Sequence, residues 1–121
     1  MKFKRDIKNW IVEITNEGDL PKNCQAILIG LYTSADGKYI IYFSGSTSFD
    51  RNNDDWACLE DEDYAPKNRY FYTEVYTSKN WKIFQNMVID EIKAIIITEI
   101  TILNQTHNIA IGFDDGNLIY L

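Results

Sequence analysis

Seven carboxylates, Asp50, Asp54, Asp55, Glu60, Asp61, Glu62 and Asp63, fall in one short stretch of the chain with only Arg51 against them. Two carboxyl groups at the right separation can hydrolyse a glycosidic bond, one giving a proton while the other activates water or attacks carbon. Such a pair works because its two environments push the pKa values apart, whereas a dense exposed cluster gives every member the same surroundings. The segment therefore reads as one solvated acidic face. Calcium is the next chemistry to weigh, since Asp50, Asn52, Asp54 and Asp61 fall at positions 1, 3, 5 and 12 of an EF-hand count. The match fails at position 6, where Asp55 replaces the glycine of the sharp bend, and a strand ending in Gly45-Ser46 precedes it in place of a helix. No metal and no other cofactor is expected.

Nucleophilic catalysis needs a base beside serine or cysteine, and the one histidine, His107, sits alone in a polar link. Gly45-Ser46-Thr47-Ser48 lacks the second glycine of a nucleophile elbow, and one histidine with two distant cysteines gives no zinc spacing. No catalytic residue is assigned. What remains is a mixture of acids with Phe49, Trp56 and Tyr64, the composition of a protein-binding surface, where aromatic rings anchor and carboxylates steer. The candidate partner-binding residues are Asp50, Asp54, Asp55, Trp56, Glu60, Asp61 and Asp63. A plainer arrangement is compatible with this one: Phe49, Trp56 and Cys58 turn inward and pin a long loop whose acids face water.

Charge distribution narrows the partner. Outside the acidic stretch eleven acids meet eleven bases, so the net charge of -6 resides there. That segment repels phosphate backbones and anionic lipid and attracts basic surfaces, which points away from nucleic acid and membrane and toward a basic protein.

Gly45-Ser46-Thr47-Ser48-Phe49-Asp50, followed by Asp54-Asp55-Trp56-Ala57-Cys58, resembles the GS-x-x-FD and D-D-W-A-C signature of small bacterial proteins of polymorphic toxin loci. The resemblance extends from Asn9-Trp10 through Leu31-Tyr32 to Ile111-Gly112-Phe113-Asp114-Asp115-Gly116-Asn117-Leu118, and its specific part is Asp-Trp-Ala-Cys with its acidic lead. This chain departs in prolonging the acidity through Glu60-Asp61-Glu62-Asp63. The resemblance implies an immunity protein, one that binds and neutralises a cognate toxin, often a nuclease, inside the cell. A nuclease presents a basic surface to phosphates, and an acidic loop can occupy it.

The elements that must position this loop follow from periodicity. Ile7, Trp10, Ile11 and Ile14 share one helical face, predicting a helix from about Phe3 to Asn16, before Gly18 and Pro21. Cys24 to Thr33 and Lys38 to Ser44 read as strands flanking Asp36-Gly37, a pair suited to the positive φ angles of a type I′ turn. The loop then runs to Pro66, and Tyr70 to Tyr76 alternates as a short strand. Trp81, Phe84, Val88, Ile92, Ile95 and Ile96 make the stripe of a long helix from Asn80 to about Leu103, although the β-branched tail from Ile95 to Ile102 also suits a strand. Ile109 to Phe113 and Asn117 to Leu121 flank Asp114-Asp115-Gly116 as a second hairpin.

The sum is a single α+β domain over residues 1–121: a mostly antiparallel sheet of about five strands, two Asp-Gly hairpins plus a short strand, with both helices on one face. No apolar run is long enough to span a bilayer, and Cys24 and Cys58 suit small buried hydrophobes in a reducing compartment, so a cytoplasmic protein is expected. Two other functions are open: a scaffold module dimerising through the Tyr70–Tyr76 edge, and a small carboxylate-dependent hydrolase in the acidic loop.

Overall fold

The chain changes its apolar period from 3.6 to 2 and back, and the elements change with it. A computed structural model describes residues 2–57 and 64–121. Helix α1, Lys2–Glu17, buries Ile7, Trp10, Ile11 and Ile14, the predicted stripe. Strands β1, Ala26–Thr33, and β2, Lys38–Ser46, pair antiparallel with Ile29 opposite Phe43 and Leu31 opposite Ile41. Strand β3, Tyr70–Tyr76, adds to the free edge of β2. Helix α2, Trp81–Thr98, then carries the chain back across the sheet to strand β4, Ile109–Phe113, and β5, Ile119–Tyr120, completes the order β3-β2-β1-β4-β5.

This is the expected α+β architecture of five strands, mostly antiparallel, with one exception. The crossover through α2 delivers β4 parallel to β1, Gly30 lying opposite Gly112, so the sheet is mixed. Among the described residues no helix is long and apolar enough to cross a membrane.

Three local expectations need correction. The long helix stops at Thr98, short of Leu103, and no strand replaces its tail. Glu99 turns extended, and the Thr101 hydroxyl accepts from the Leu103 amide while the Asn104 carboxamide oxygen accepts from the Thr101 amide, capping a 3₁₀ turn at Ile102–Gln105. Threonine and β-branched isoleucine gain little from continuing a helix, so a side-chain cap suffices to end it. The Asp36-Gly37 turn is not type I′, because only Gly37 takes positive φ, 82°, while Gly37 donates to the Ser34 carbonyl at 3.1 Å. The geometry is a type I turn followed by a left-handed glycine. The second Asp-Gly turn closes through Gly116 N–H to the Phe113 carbonyl at 3.0 Å without positive φ, and β5 is shorter than Asn117–Leu121.

One sheet face carries the main core. Ile27, Ile29 and Leu31 of β1, Tyr39, Ile41 and Phe43 of β2, and Ile109 and Ile111 of β4 meet the stripes of both helices. Tyr39 stacks on Phe84 of α2 at 4.1 Å between ring centroids, and its hydroxyl donates to the Lys79 carbonyl at the helix entry. Burial of these aliphatic and aromatic groups is the dominant stabilising contribution. Cys24 is half-buried, its thiol donating to the Ala26 carbonyl at 3.4 Å, and Cys58 lies outside the described residues.

Candidate functional site

The opposite sheet face is covered by neither helix. Its inward side chains Ala26, Leu28 and Ala110 are roofed at one end by the segment that follows β2, through Trp56 with Phe49 and Ala57. The described part of the acidic segment is thus packed against the sheet by Phe49 and Trp56, the inward arrangement raised by the sequence for these two residues, while Cys58 lies outside the described residues. Trp56 is only 5% exposed and sits in a 3₁₀ turn, Asp54–Ala57. Phe49 meets it edge to face at 5.3 Å and meets Tyr120 of β5 at 6.0 Å.

Hydrogen bonds fix the same segment. The Trp56 indole N–H donates to the Tyr120 hydroxyl at 3.2 Å, and that hydroxyl donates to Asp54 Oδ1 at 2.6 Å. Burial pushes the Tyr120 hydroxyl pKa upward, and its bond to the Asp54 carboxylate pushes it further. The Asp50 carboxylate accepts from the Asn52 amide at 2.9 Å, and the Asn53 carboxamide oxygen from the Asp55 amide at 3.0 Å, two local turns of the kind Asx residues favour. The return of the chain is tied down by paired backbone bonds between Gly45 and Tyr64. Beyond it, Glu17 of α1 accepts from the Lys67 and Asn68 amides, and the Trp10 indole donates to the Asn68 carbonyl at 2.6 Å.

The predicted site residues divide accordingly. Asp50 and Asp55 are exposed, Asp54 is half-buried with its Tyr120 bond, and Trp56 is buried. Trp56 therefore acts on the surface by holding the segment rather than by presenting its ring. Glu60, Asp61 and Asp63 lie outside the described residues. Ion pairs among the described residues join Arg5 to Asp6, Lys8 to Glu99 and Lys38 to Glu74, and none engages Asp50, Asp54 or Asp55. The basic residue of the segment itself, Arg51, lies over the Tyr120 ring at 5.3 Å. No group of three or more His, Cys, Asp or Glu among the described residues could hold a metal ion, and His107 is exposed.

The fold brings to this face residues the charge count along the chain did not select. Asp114, in the β4–β5 turn, shares with Asp54 the lining of an open cleft of about 320 Å³ over Leu28 and Gly112. The Tyr42 hydroxyl donates to Asp114 Oδ1 at 2.7 Å, so each of these two carboxylates accepts from a tyrosine. Tyr42 can lie there because Gly30 leaves room: a Cβ at Gly30 would fall 1.9 Å from the Tyr42 ring. Past Tyr42 the uncovered face continues through Tyr32, Tyr70 and Tyr72, the last 68% exposed. The signal that could have found this surface is the set of tyrosines at alternate positions of β3, together with glycines on adjoining strands. In comparison with known proteins no family model matches the chain, and neither a curated protein nor a solved structure matches it.

Proposed function

We propose that the chain is an inhibitor of immunity type, which binds a basic protein, a cognate toxin such as a nuclease, through the acidic segment pinned over the open sheet face. The observation that carries the reading is the combination of anchoring with lack of neutralisation. The Asp50 and Asp54 carboxylates are held by the Asn52 amide and the Tyr120 hydroxyl, and the Asp55 backbone by the Asn53 side chain, yet none of the three acids is engaged by a described lysine or arginine. Carboxylates fixed beforehand lose little side-chain freedom on binding, and their field raises the encounter rate with a cationic surface. Tyrosines beside them supply rigid amphipathic contact area with few rotatable bonds. Asp50, Asp54 and Asp55, with Glu60, Asp61 and Asp63 continuing the same stretch of sequence, are the contact residues, and Trp56 is their support.

The test is co-expression with the product of the neighbouring reading frame. Growth arrest by that product, relieved by this chain and not by a variant with the six acids changed to Asn or Gln, is the expected result. Relief by the neutralised variant at the wild-type level would overturn the reading. Asparagine is the right substitute for Asp50 and Asp54 because its carboxamide oxygen still accepts the bonds that hold the segment.

One observation favours a second reading, a carboxylate-dependent hydrolase: Asp54 and Asp114 line the same cleft. Each accepts from a tyrosine hydroxyl, which fixes the two carboxylates as acceptors for a shared cationic group and suits recognition. Turnover of chromogenic glycosides by the wild type, lost in Asp54→Asn, would establish the enzyme instead.

A further inference from the structure

A second cleft, of about 630 Å³, opens at the end of the sheet, where the β1–β2 hairpin, the start of α2 and the β4–β5 turn converge beside the helix-covered core. Its aromatic lining includes Tyr32, Trp81 and Phe113, its rim Asp114 and Asp115, and none of the described residues lining it is basic. Trp81 stands edge-on to Phe113 at 5.8 Å and 86°, and Phe113 is braced in turn by Tyr39 and Phe84. More than half of the Trp81 surface meets solvent, 55%, at the first position of α2. Exposed tryptophan beside carboxylates and over a rigid aromatic floor has a specific chemical complement. A guanidinium is planar, stacks on ring faces, is weakly hydrated, and pairs with carboxylates through two parallel bonds. A lysine ammonium, more strongly hydrated and without a planar face, gains less from such walls.

We propose that this cleft is the receptor for an arginine side chain of the protein partner, held against Trp81 with its guanidinium on Asp114 and Asp115. The inference rests on the reading of a basic partner given above and adds the residue type that the partner inserts. Asp114 borders both clefts, so the site is continuous with the surface that Asp54 lines. The partner is therefore read at two places: diffuse positive charge by the acidic segment, and one arginine by the aromatic cleft.

The experiment titrates the full chain, labelled for amide NMR, with a short acetylated peptide Gly-Arg-Gly-amide, and in parallel with its lysine and citrulline counterparts. Citrulline keeps the shape of arginine and removes its charge. Expected are shifts at Trp81, Phe113 and Asp114 to Gly116 with the arginine peptide, at least tenfold weaker binding of citrulline, and weaker binding of lysine. Trp81→Ala and Asp115→Asn, both at exposed positions, should each reduce the arginine shifts several-fold while the remaining spectrum stays folded. No shift at millimolar peptide, equal binding of citrulline, or shifts confined to the segment around Asp54 would overturn the proposal. The two readings fail separately. If neutralising the acidic segment abolishes inhibition and Trp81→Ala leaves it intact, the arginine cleft falls and the inhibitor stands. If the peptide fills the cleft but the chain never protects against its neighbour's product, the inhibitor falls and the cleft stands.

Discussion

Trp56 joins the acidic surface to the fold through one chain of contacts, its ring on Phe49 and its N–H on Tyr120, which in turn holds Asp54. Trp56→Ala should therefore destabilise by about 3–5 kcal/mol, as expected for loss of a buried large aromatic. Trp56→Phe should cost less and retain the contact with Phe49. Denaturant titration followed by far-ultraviolet circular dichroism measures both, and a loss near zero for the alanine variant would mean that the segment is not anchored there. The tyrosines add a pH signature. Tyr32, Tyr39, Tyr64 and Tyr120 all have pKa values raised above 10.0, burial being the first cause in each. A raised folded-state pKa means that above the unfolded value the native chain binds more protons than the unfolded one, so stability falls as pH rises. The stability these groups contribute should be complete below pH 10.0 and decline above it, through the folded-state values. Tyrosinate absorbance should show these four hydroxyls releasing their protons above pH 10.0, as the chain unfolds. A denaturation midpoint that holds steady through that window would contradict the burial of these hydroxyls.

Strands and helices were legible to different degrees, for physical reasons. The stripes Ile7-Trp10-Ile11-Ile14 and Phe84-Val88-Ile92-Ile95 are local, and both helices formed where the period required. The end of α2 was not legible, because Thr101 and Asn104 set it through side-chain bonds whose strength depends on where Ile102 and Leu103 can be buried. The parallel pairing of β1 with β4 depends on the path of α2 across the sheet, information that no window of residues contains. The acidic segment was legible as charge, and its inward aromatics were legible as a possibility. Asp114, Asp115 and the tyrosine face were not, since strands remote in sequence assemble them. Gly30 tests that assembly. Gly30→Ala would drive a methyl group into the Tyr42 ring, so the ring must move and its bond to Asp114 must break. We expect a cost of about 1–3 kcal/mol, with chemical-shift changes centred on Asp114. An alanine variant as stable as the wild type would show that Tyr42 does not lie across β1.

The whole molecule has a polarity that its net charge of -6 understates. One sheet face is sealed by two helices around an apolar core, the other carries acids anchored through Trp56 and two tyrosine-held carboxylates, and an aromatic cleft opens at the end of the sheet. The described ion pairs belong to the helices and to the β2–β3 pair, away from Asp50, Asp54 and Asp55. Such a division directs long-range attraction to one side, and attraction of that kind is screened over about 10 Å at 0.1 M salt. The most direct measurement is the association rate with the proposed basic partner as a function of ionic strength, for the wild type and for the variant with Asp50, Asp54, Asp55, Glu60, Asp61 and Asp63 neutralised. The wild-type rate should fall by about tenfold or more from low to physiological salt, while the variant should start slow and change little. Equal rates with the same salt slope would contradict a pinned acidic face that draws its partner in.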